Sequence, residues 1–229
     1  MLLKEWDLLP EEMRTPAVRP YYDRLCRKKA GLIAKRIGDV ALSALLIILL
    51  SPVLLVISLI IVCDSRGGVF FRQQRVTSYG KVFRIFKFRT MVSNAESLGS
   101  QVTVNNDSRV TRCGRFLRKY RLDELPQLFN IFMGEMSFVG TRPEVPRYVQ
   151  AYTEEMRATL LLPAGVTSLA SIQFKDEDAL LQNADDADRT YVEEILPQKM
   201  KYNLEYLDRY RFGYDIRLMF QTVVAVFKD

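Results

Sequence analysis

Residues 40–63 read VALSALLIILLSPVLLVISLIIVC, 24 positions without a charge. At 1.5 Å per residue this run makes about 36 Å of helix, against a hydrocarbon core of about 30 Å. It predicts a membrane-inserted helix rather than the buried helix of a soluble core. Ser51 and Pro52 stand at its midpoint. Proline lacks a backbone donor and its ring clashes with the preceding turn, so a kink is expected there. Both flanks are basic. Arg24, Arg27, Lys28, Lys29, Lys35 and Arg36 precede the run, and Arg66, Arg72, Arg75 and Lys81 follow it. Orientation of a spanning helix follows a Lys/Arg asymmetry, and there is little here. Two basic flanks suit a helix that enters, bends at Ser51-Pro52 and leaves on the cytoplasmic side. A kinked single span satisfies the same pattern, and either way the freed backbone groups need partners.

The rest of the chain bounds the chemistry. At 229 residues there is room for one domain with a real core. There is no histidine, which removes the commonest general base and the commonest zinc ligand. Cys26, Cys63 and Cys113 are far apart and show no C-x-x-C spacing, so neither a disulfide framework nor a zinc site is indicated. Net charge is +6, unevenly spread: residues 1–122 hold 22 Lys/Arg against 9 Asp/Glu, and the remainder hold 11 against 18. A basic front half implies an anionic partner, whether nucleic acid, an anionic membrane face or a phosphorylated substrate. Solvated surface and membrane-flanking charges account for part of it.

Outward from the apolar run, residues 1–30 are polar, carry Pro10, Pro16 and Pro20, and read as an appendage with short helical pieces. They are not a secretory signal, because the apolar run begins too late and no small-residue cleavage site follows it. After Arg66-Gly67-Gly68, VFFRQQRV and KVFRIFKFRTM flank Gly80 and read as a β-hairpin. Residues 92–108 read as a short helix and an exposed loop. Residues 109–122 place Val110, Cys113, Leu117 and Tyr120 at helical spacing, in a basic amphipathic helix. QLFNIFMGEMSF (127–138) suits either core or a membrane interface. Pro143 and Pro146 punctuate a loop, and a helix is expected over about 148–161. PAGVTSLAS reads as a turn-rich connection, 175–188 as acidic and solvated, and 189–228 as one or two helices.

At the end of the basic helix stands RKYRLDELPQLFNIFMGEMSFVGTRPEVP (118–146), with Asp123 and Glu124 directly after Arg118, Lys119 and Arg121. Adjacent carboxylates in a basic setting can hold a divalent metal or present a nucleophile. They can equally cap a helix that starts at Leu125-Pro126. Composition alone leaves both open.

Five blocks in order carry a resemblance: KRIGDVALSALLIILLSPVLL, RVTSYGKVFRIFKFRTM, RKYRLDELPQLFNIFMGEMSFVGTRPE, PAGVTSLAS and DIRLMFQTVVAVF. From about Lys35 to the C-terminus the chain resembles the bacterial sugar transferases, monotopic polyprenyl-phosphate phosphoglycosyl transferases. The resemblance implies an α+β, mostly helical fold, with a small globular cytoplasmic domain, a β-hairpin, amphipathic interfacial helices and a re-entrant membrane helix kinked at Ser51 and Pro52. It divides the chain into an appendage (1–30), a membrane helix (31–65) and a catalytic domain (66–229).

It also implies an activity: transfer of a sugar-1-phosphate from a UDP-sugar to undecaprenyl phosphate, with magnesium, at the cytoplasmic face of the bacterial inner membrane. Asp123 is the implied nucleophile, forming a phosphosugar-aspartyl intermediate, and Glu124, with Asp123, the implied magnesium ligand. An ionised Asp attacks without a general base, which suits a chain without histidine. Phosphoryl transfer needs charge neutralisation and positioning more than proton chemistry. By motif position, Lys87, Arg89, Arg118, Arg142 and the neighbouring Pro143 are the expected phosphate-binding group. Membrane lipid and a homodimer partner are further expectations; nucleic acid is not, given no nucleic-acid-binding motif and an acidic second half. Thr77, Thr141 and Ser168 depart from the family pattern, where Gly, Pro and Gly are usual. A catalytically inactive membrane scaffold and a membrane-tethered binder of anionic ligands are the competing classes.

Overall fold

The computed structural model describes residues 3–92, 108–174 and 186–227. Two short 3₁₀ turns, Trp6–Leu8 and Glu11–Met13, lead into α1 (Arg19–Cys26) and the long α2 (Lys29–Asp64). The hairpin follows, β1 (Phe70–Val76) and β2 (Val82–Phe88), antiparallel with Phe70 opposite Phe88 and Val76 opposite Val82. Its connection places Tyr79 (φ 59°) and Gly80 (φ 72°) in the left-handed region. Next come α3 (Arg112–Lys119), a 3₁₀ turn (Leu122–Glu124), α4 (Gln127–Met133), β3 (Met136–Val139) and α5 (Pro146–Gln150). A 3₁₀ stretch (Met156–Leu161) precedes β4 (Ala164–Thr167) and α6 (Leu169–Gln173). The chain closes with α7 (Ala187–Thr190), a π turn (Tyr191–Ile195), α8 (Leu196–Arg209) and α9 (Phe212–Phe227).

The expected apolar helix is present, one element of 36 residues with Pro52 inside it. Proline cannot donate to the Ile48 carbonyl four residues back; Ser51 Oγ donates to that carbonyl instead, at 2.8 Å. The serine thus satisfies the acceptor that the proline orphans. One side of α2 packs on the domain along its length. Leu46, Ile47 and Leu50 lie against Phe83, Ile85 and Ile131, and further on Ile57 and Ile61 lie against Phe88 and Leu117. The other side is bare: Ile48 is 71% exposed, Leu49 62% and Leu55 61%. A soluble core helix would bury these side chains.

Polar groups tie both ends of α2 to the domain. Near its start Lys35 donates to the Val139 carbonyl (2.7 Å) and pairs with Asp215 (2.8 Å), and Arg36 caps α4 by donating to the Ile131 and Phe132 carbonyls. At its end Asp64 accepts from the Cys113 amide at the start of α3 (3.0 Å).

Three sequence expectations change. Residues 3–28 are not an appendage: Leu9, Met13, Val18 and Leu25 are buried in the main core with Leu196 and Met200 of α8. Their polar, proline-rich composition hides apolar residues that meet partners far along the chain. PAGVTSLAS is strand β4 and helix α6, and β4 pairs in parallel with β3 from Met136↔Ala164 to Val139↔Thr167. The helix expected over 148–161 is two pieces, α5 and the 3₁₀ stretch. The expectations for most of 92–108 and of 175–188 lie outside the described residues.

The parallel pair needs glycine at one point. A Cβ on Gly165 would overlap the Gly140 backbone, whereas a Cβ on Gly68 meets nothing within 4 Å. Gly165→Ala should therefore cost about 1–3 kcal/mol or more by overpacking. That is about 2–4 °C per kcal/mol for a chain of this size. Gly68→Ala should be silent in the same thermal unfolding measurement.

Candidate active site

Local capping delivers Asp123 and Glu124. Thr111 caps α3 by accepting from the Gly114 amide (3.0 Å), and Gly114 lets the helix press against the Thr90 backbone. The helix ends at Tyr120 and Arg121 takes a left-handed conformation (φ 56°), turning the chain into the 3₁₀ turn that carries both carboxylates. Leu122 and Leu125 anchor this turn against Ile57, Ile61 and Leu117. The capping alternative fails: the cap position of α4 is Pro126, and no side chain accepts from that helix's first amides.

Around the turn, Glu124 is held by two cations. Lys87 Nζ lies 3.0 Å and Arg142 Nη2 2.6 Å from Glu124 Oε1, with Arg142 Nη1 3.4 Å from Oε2. Burial alone would raise the Glu124 pKa, but Arg142 and Lys87 outweigh it and hold the carboxyl well below its ordinary range. Burial pulls the Lys87 ammonium down, against the opposing pull of Glu124. Asp123 differs. It is buried, none of the ion pairs among the described residues uses it, and burial pushes its carboxyl up despite Lys87 nearby. One carboxylate is thus neutralised and fixed, and its neighbour is in no ion pair among the described residues, with Lys87 and Arg118 offsetting only part of the cost of burying its charge.

Of the expected phosphate-binding group, Lys87 and Arg142 meet on Glu124, and Arg118 stands beside the turn with Nε donating to Thr90 Oγ1 (2.9 Å). Pro143 is buried behind Arg142, its carbonyl accepting from Arg75 (3.0 Å). Arg89 is elsewhere. Its guanidinium is buried against the C-terminus of α2 and donates to the carbonyls of Arg66 (2.9 Å) and Ser65 (2.7 Å). A helix C-terminus leaves carbonyls unpaired and favours a cation, so Arg89 caps the membrane helix instead of facing the carboxylates. Ser51 and Pro52 lie within α2.

Thr90 is a site neighbour that the residue pattern does not flag. The three departures also find work. Thr77 Oγ1 donates to the Glu135 carbonyl (2.7 Å) and accepts from the Ala164 amide (3.1 Å). The Thr141 carbonyl accepts from the Gly165 amide (2.9 Å), and Ser168 caps α6.

The profile of a family described as bacterial sugar transferase matches residues 30–229. The chain belongs to the bacterial sugar transferase family. Relatives within it include a UDP-glucose:undecaprenyl-phosphate glucose-1-phosphate transferase of Klebsiella pneumoniae, 34% identical over 222 residues, covering 95% of this chain and 45% of the relative. A UDP-N-acetylgalactosamine-undecaprenyl-phosphate N-acetylgalactosaminephosphotransferase of Aeromonas hydrophila is 33% identical over 195 residues, covering 84% of this chain and 43% of the relative. A putative undecaprenyl-phosphate N-acetylgalactosaminyl 1-phosphate transferase of Bacillus subtilis is 38% identical over 133 residues, 58% of this chain and 74% of the relative. The chain spans less than half the length of the first two family members.

The two carboxylates make opposite predictions. The folded state holds a proton on Asp123 more tightly than the unfolded state does, so ionising it costs stability. That cost is absent below the ordinary carboxylate range and appears as pH rises through the raised value. With a chelator present, Asp123→Asn should unfold at a higher temperature than the unaltered protein at pH 7.5, the gap closing as pH is lowered. Glu124→Gln has the other sign, because it strands Lys87 and Arg142. Breaking a buried pair costs about 3–5 kcal/mol. Arg142 is 34% exposed, so solvent reduces the expected loss to about 1–3 kcal/mol. Thermal unfolding at neutral pH reads it.

Proposed function

We propose that this protein transfers a sugar-1-phosphate from a UDP-sugar to undecaprenyl phosphate, with Asp123 as the nucleophile. The observation that carries the reading is the asymmetry of the pair: an Asp123 carboxylate outside every described ion pair, beside a Glu124 clamped by Lys87 and Arg142. A nucleophile must be free to attack, and its neighbour must be held where it can organise charge. The names of the relatives supply the donor and acceptor classes.

In this scheme an Asp123 oxygen attacks the β-phosphorus of the donor. The bond from that phosphorus to the bridging oxygen breaks, and UMP leaves with the electron pair. An oxygen of undecaprenyl phosphate then attacks the same phosphorus and returns Asp123 as a carboxylate. No proton transfer is required, which fits a chain without histidine. Lys87 and Arg142 are the cations nearest to where the diphosphate charge develops, and Arg118 stands beside them. The donor set also fits magnesium, which takes one or two carboxylates together with substrate oxygens. Asp123 and the less engaged Glu124 Oε2 would hold it, and it would neutralise diphosphate charge.

The packing of α2 supports a re-entrant arrangement on the cytoplasmic side of the inner membrane. The domain contacts α2 from Leu32 to Ile61, about 44 Å of helix. An upright span would draw the Asp64 contact with α3 and the buried Arg89 through the bilayer. Ser51-Pro52 offers the bend. Beside the end of α2, α3 exposes Arg112, Arg115, Phe116, Lys119 and Tyr120 on one stripe, with the two rings 4.9 Å apart. Cations mixed with aromatics suit a headgroup layer.

Two measurements test the proposal. Purified protein should release UMP from a radiolabelled UDP-sugar, carry the phosphosugar on Asp123 when undecaprenyl phosphate is withheld and pass it to the lipid when it is added, and Asp123→Asn should lower UMP release by at least about 10³-fold. Full turnover by that variant would remove Asp123 as nucleophile; no turnover by the unaltered protein with any UDP-sugar would favour the inactive scaffold. Cysteines placed at Lys29 and Arg66 should both label from the cytoplasmic side, and labelling from opposite sides would sink the re-entrant arrangement.

A further inference from the structure

A buried charge cluster that the proposed chemistry does not use holds the loop carrying Arg142 from behind. Backbone bonds first pin that loop on either side of Arg142. The Gly140 amide donates to the Thr167 carbonyl (3.0 Å) and the Gly165 amide to the Thr141 carbonyl (2.9 Å). After it, Arg75 donates to the Pro143 carbonyl (3.0 Å) and the Val76 amide to the Glu144 carbonyl (2.9 Å). Glu144, two residues beyond Arg142, is buried. Its Oε1 accepts from the Tyr191 hydroxyl at 2.5 Å and lies 3.5 Å from Lys199 Nζ, which itself donates to the Tyr191 hydroxyl at 3.0 Å. The three groups close a triangle.

The partners come from a distant part of the chain. Lys199 is on α8, and Tyr191 opens the π turn that precedes it. Such turns insert a residue into a helix and re-aim its side chains, and they concentrate at functional positions. The same region grips the loop a second time, where Tyr148 and Arg147 of α5 both bond Asp188 of α7 (2.6 and 2.5 Å). A buried Glu–Lys pair is a poor source of stability, because desolvating both charges offsets their attraction. Fixing a neighbour's position is a use that does not depend on net stabilisation.

We propose that Glu144, Tyr191 and Lys199 are positioning residues that set the Arg142 guanidinium against Glu124 and, during reaction, against the donor diphosphate. The proposal rests on the reading of Arg142 as a diphosphate contact. Arg142 presents a planar fork whose bidentate geometry tolerates little displacement. A displacement of about 1 Å is enough to cost about 10²-fold in rate.

The test uses the full chain and two independent readouts. In single-turnover UMP release, Tyr191→Phe and Glu144→Gln should each lower the rate constant about 10- to 100-fold while the fraction of molecules that react stays the same. Lys199→Arg should retain more of the rate than Lys199→Met. In an Arg142→Ala background the Tyr191→Phe change should have little further effect on rate, because the group it positions is gone. Independently of turnover, backbone amide exchange across 140–145 should speed up at least tenfold in Tyr191→Phe, with the β1–β2 amides other than Val76, which bonds the loop, unchanged. If the cluster variants lower only the reacting fraction, or lower the rate equally with and without Arg142, the cluster merely supports the fold and the proposal is overturned. If the unaltered protein releases no UMP, the proposed reaction fails. Amide exchange then decides the cluster alone, and unaltered exchange across 140–145 would refute it.

Discussion

An apolar helix that water would reject has to be locked to a polar domain, and the lock is made of charge. Arg89 covers the carbonyls at the C-terminal end of α2, and Lys35, Arg36 and Asp215 secure its beginning. Helix termini leave backbone groups unpaired, so these contacts fall where an isolated helix is least satisfied. The active turn hangs from the same arrangement. Asp64 at the end of α2 caps α3, and Leu122 and Leu125 sit on Ile57 and Ile61. The carboxylates therefore take their position from the apolar helix itself.

The site is organised by unequal treatment of two adjacent carboxylates. Glu124 pairs with Lys87 and Arg142, and Asp123 is in no ion pair among the described residues. Two free carboxylates side by side would repel and hold a proton between them. Two paired ones would leave no nucleophile. The left-handed Arg121 makes the difference geometrically, since it breaks α3 and starts a separate turn, so that consecutive residues face different surroundings.

Much of this was legible in the residues. The apolar run, the hairpin with its Phe and Val alternation, and the Asp-Glu pair among arginines all carry short-range signals. Lys87 and Arg89 show where such signals stop. They share a parity, and in an unbroken strand would share a face. The strand ends at Phe88, so Arg89 leaves the sheet and turns to the end of α2. The β3–β4 pair was hidden for another reason: each strand is four residues, and their partnership spans a separation that no local period records. Residues 3–28 hid for a related reason: Val18, Tyr21, Tyr22 and Leu25 keep a helical spacing, but over one short helix whose partners lie far along the chain. Lys199 and Tyr191 carry no motif at all, and only the folded chain shows them behind Glu144.

The burial of the N-terminal segment against α8 has a consequence for biosynthesis. Lys28 donates to the Tyr210 carbonyl, 182 residues away, and Leu25 shares a core with Leu207. The apolar helix leaves the ribosome before α8 does. The elements that close the core around its flank, the π turn and α8, emerge after it. Until then Leu9, Met13 and Val18 lack the α8 partners that cover them, and contacts this distant form slowly. Closure of the main core is thus a long-range step that waits for α8 to reach the N-terminal segment.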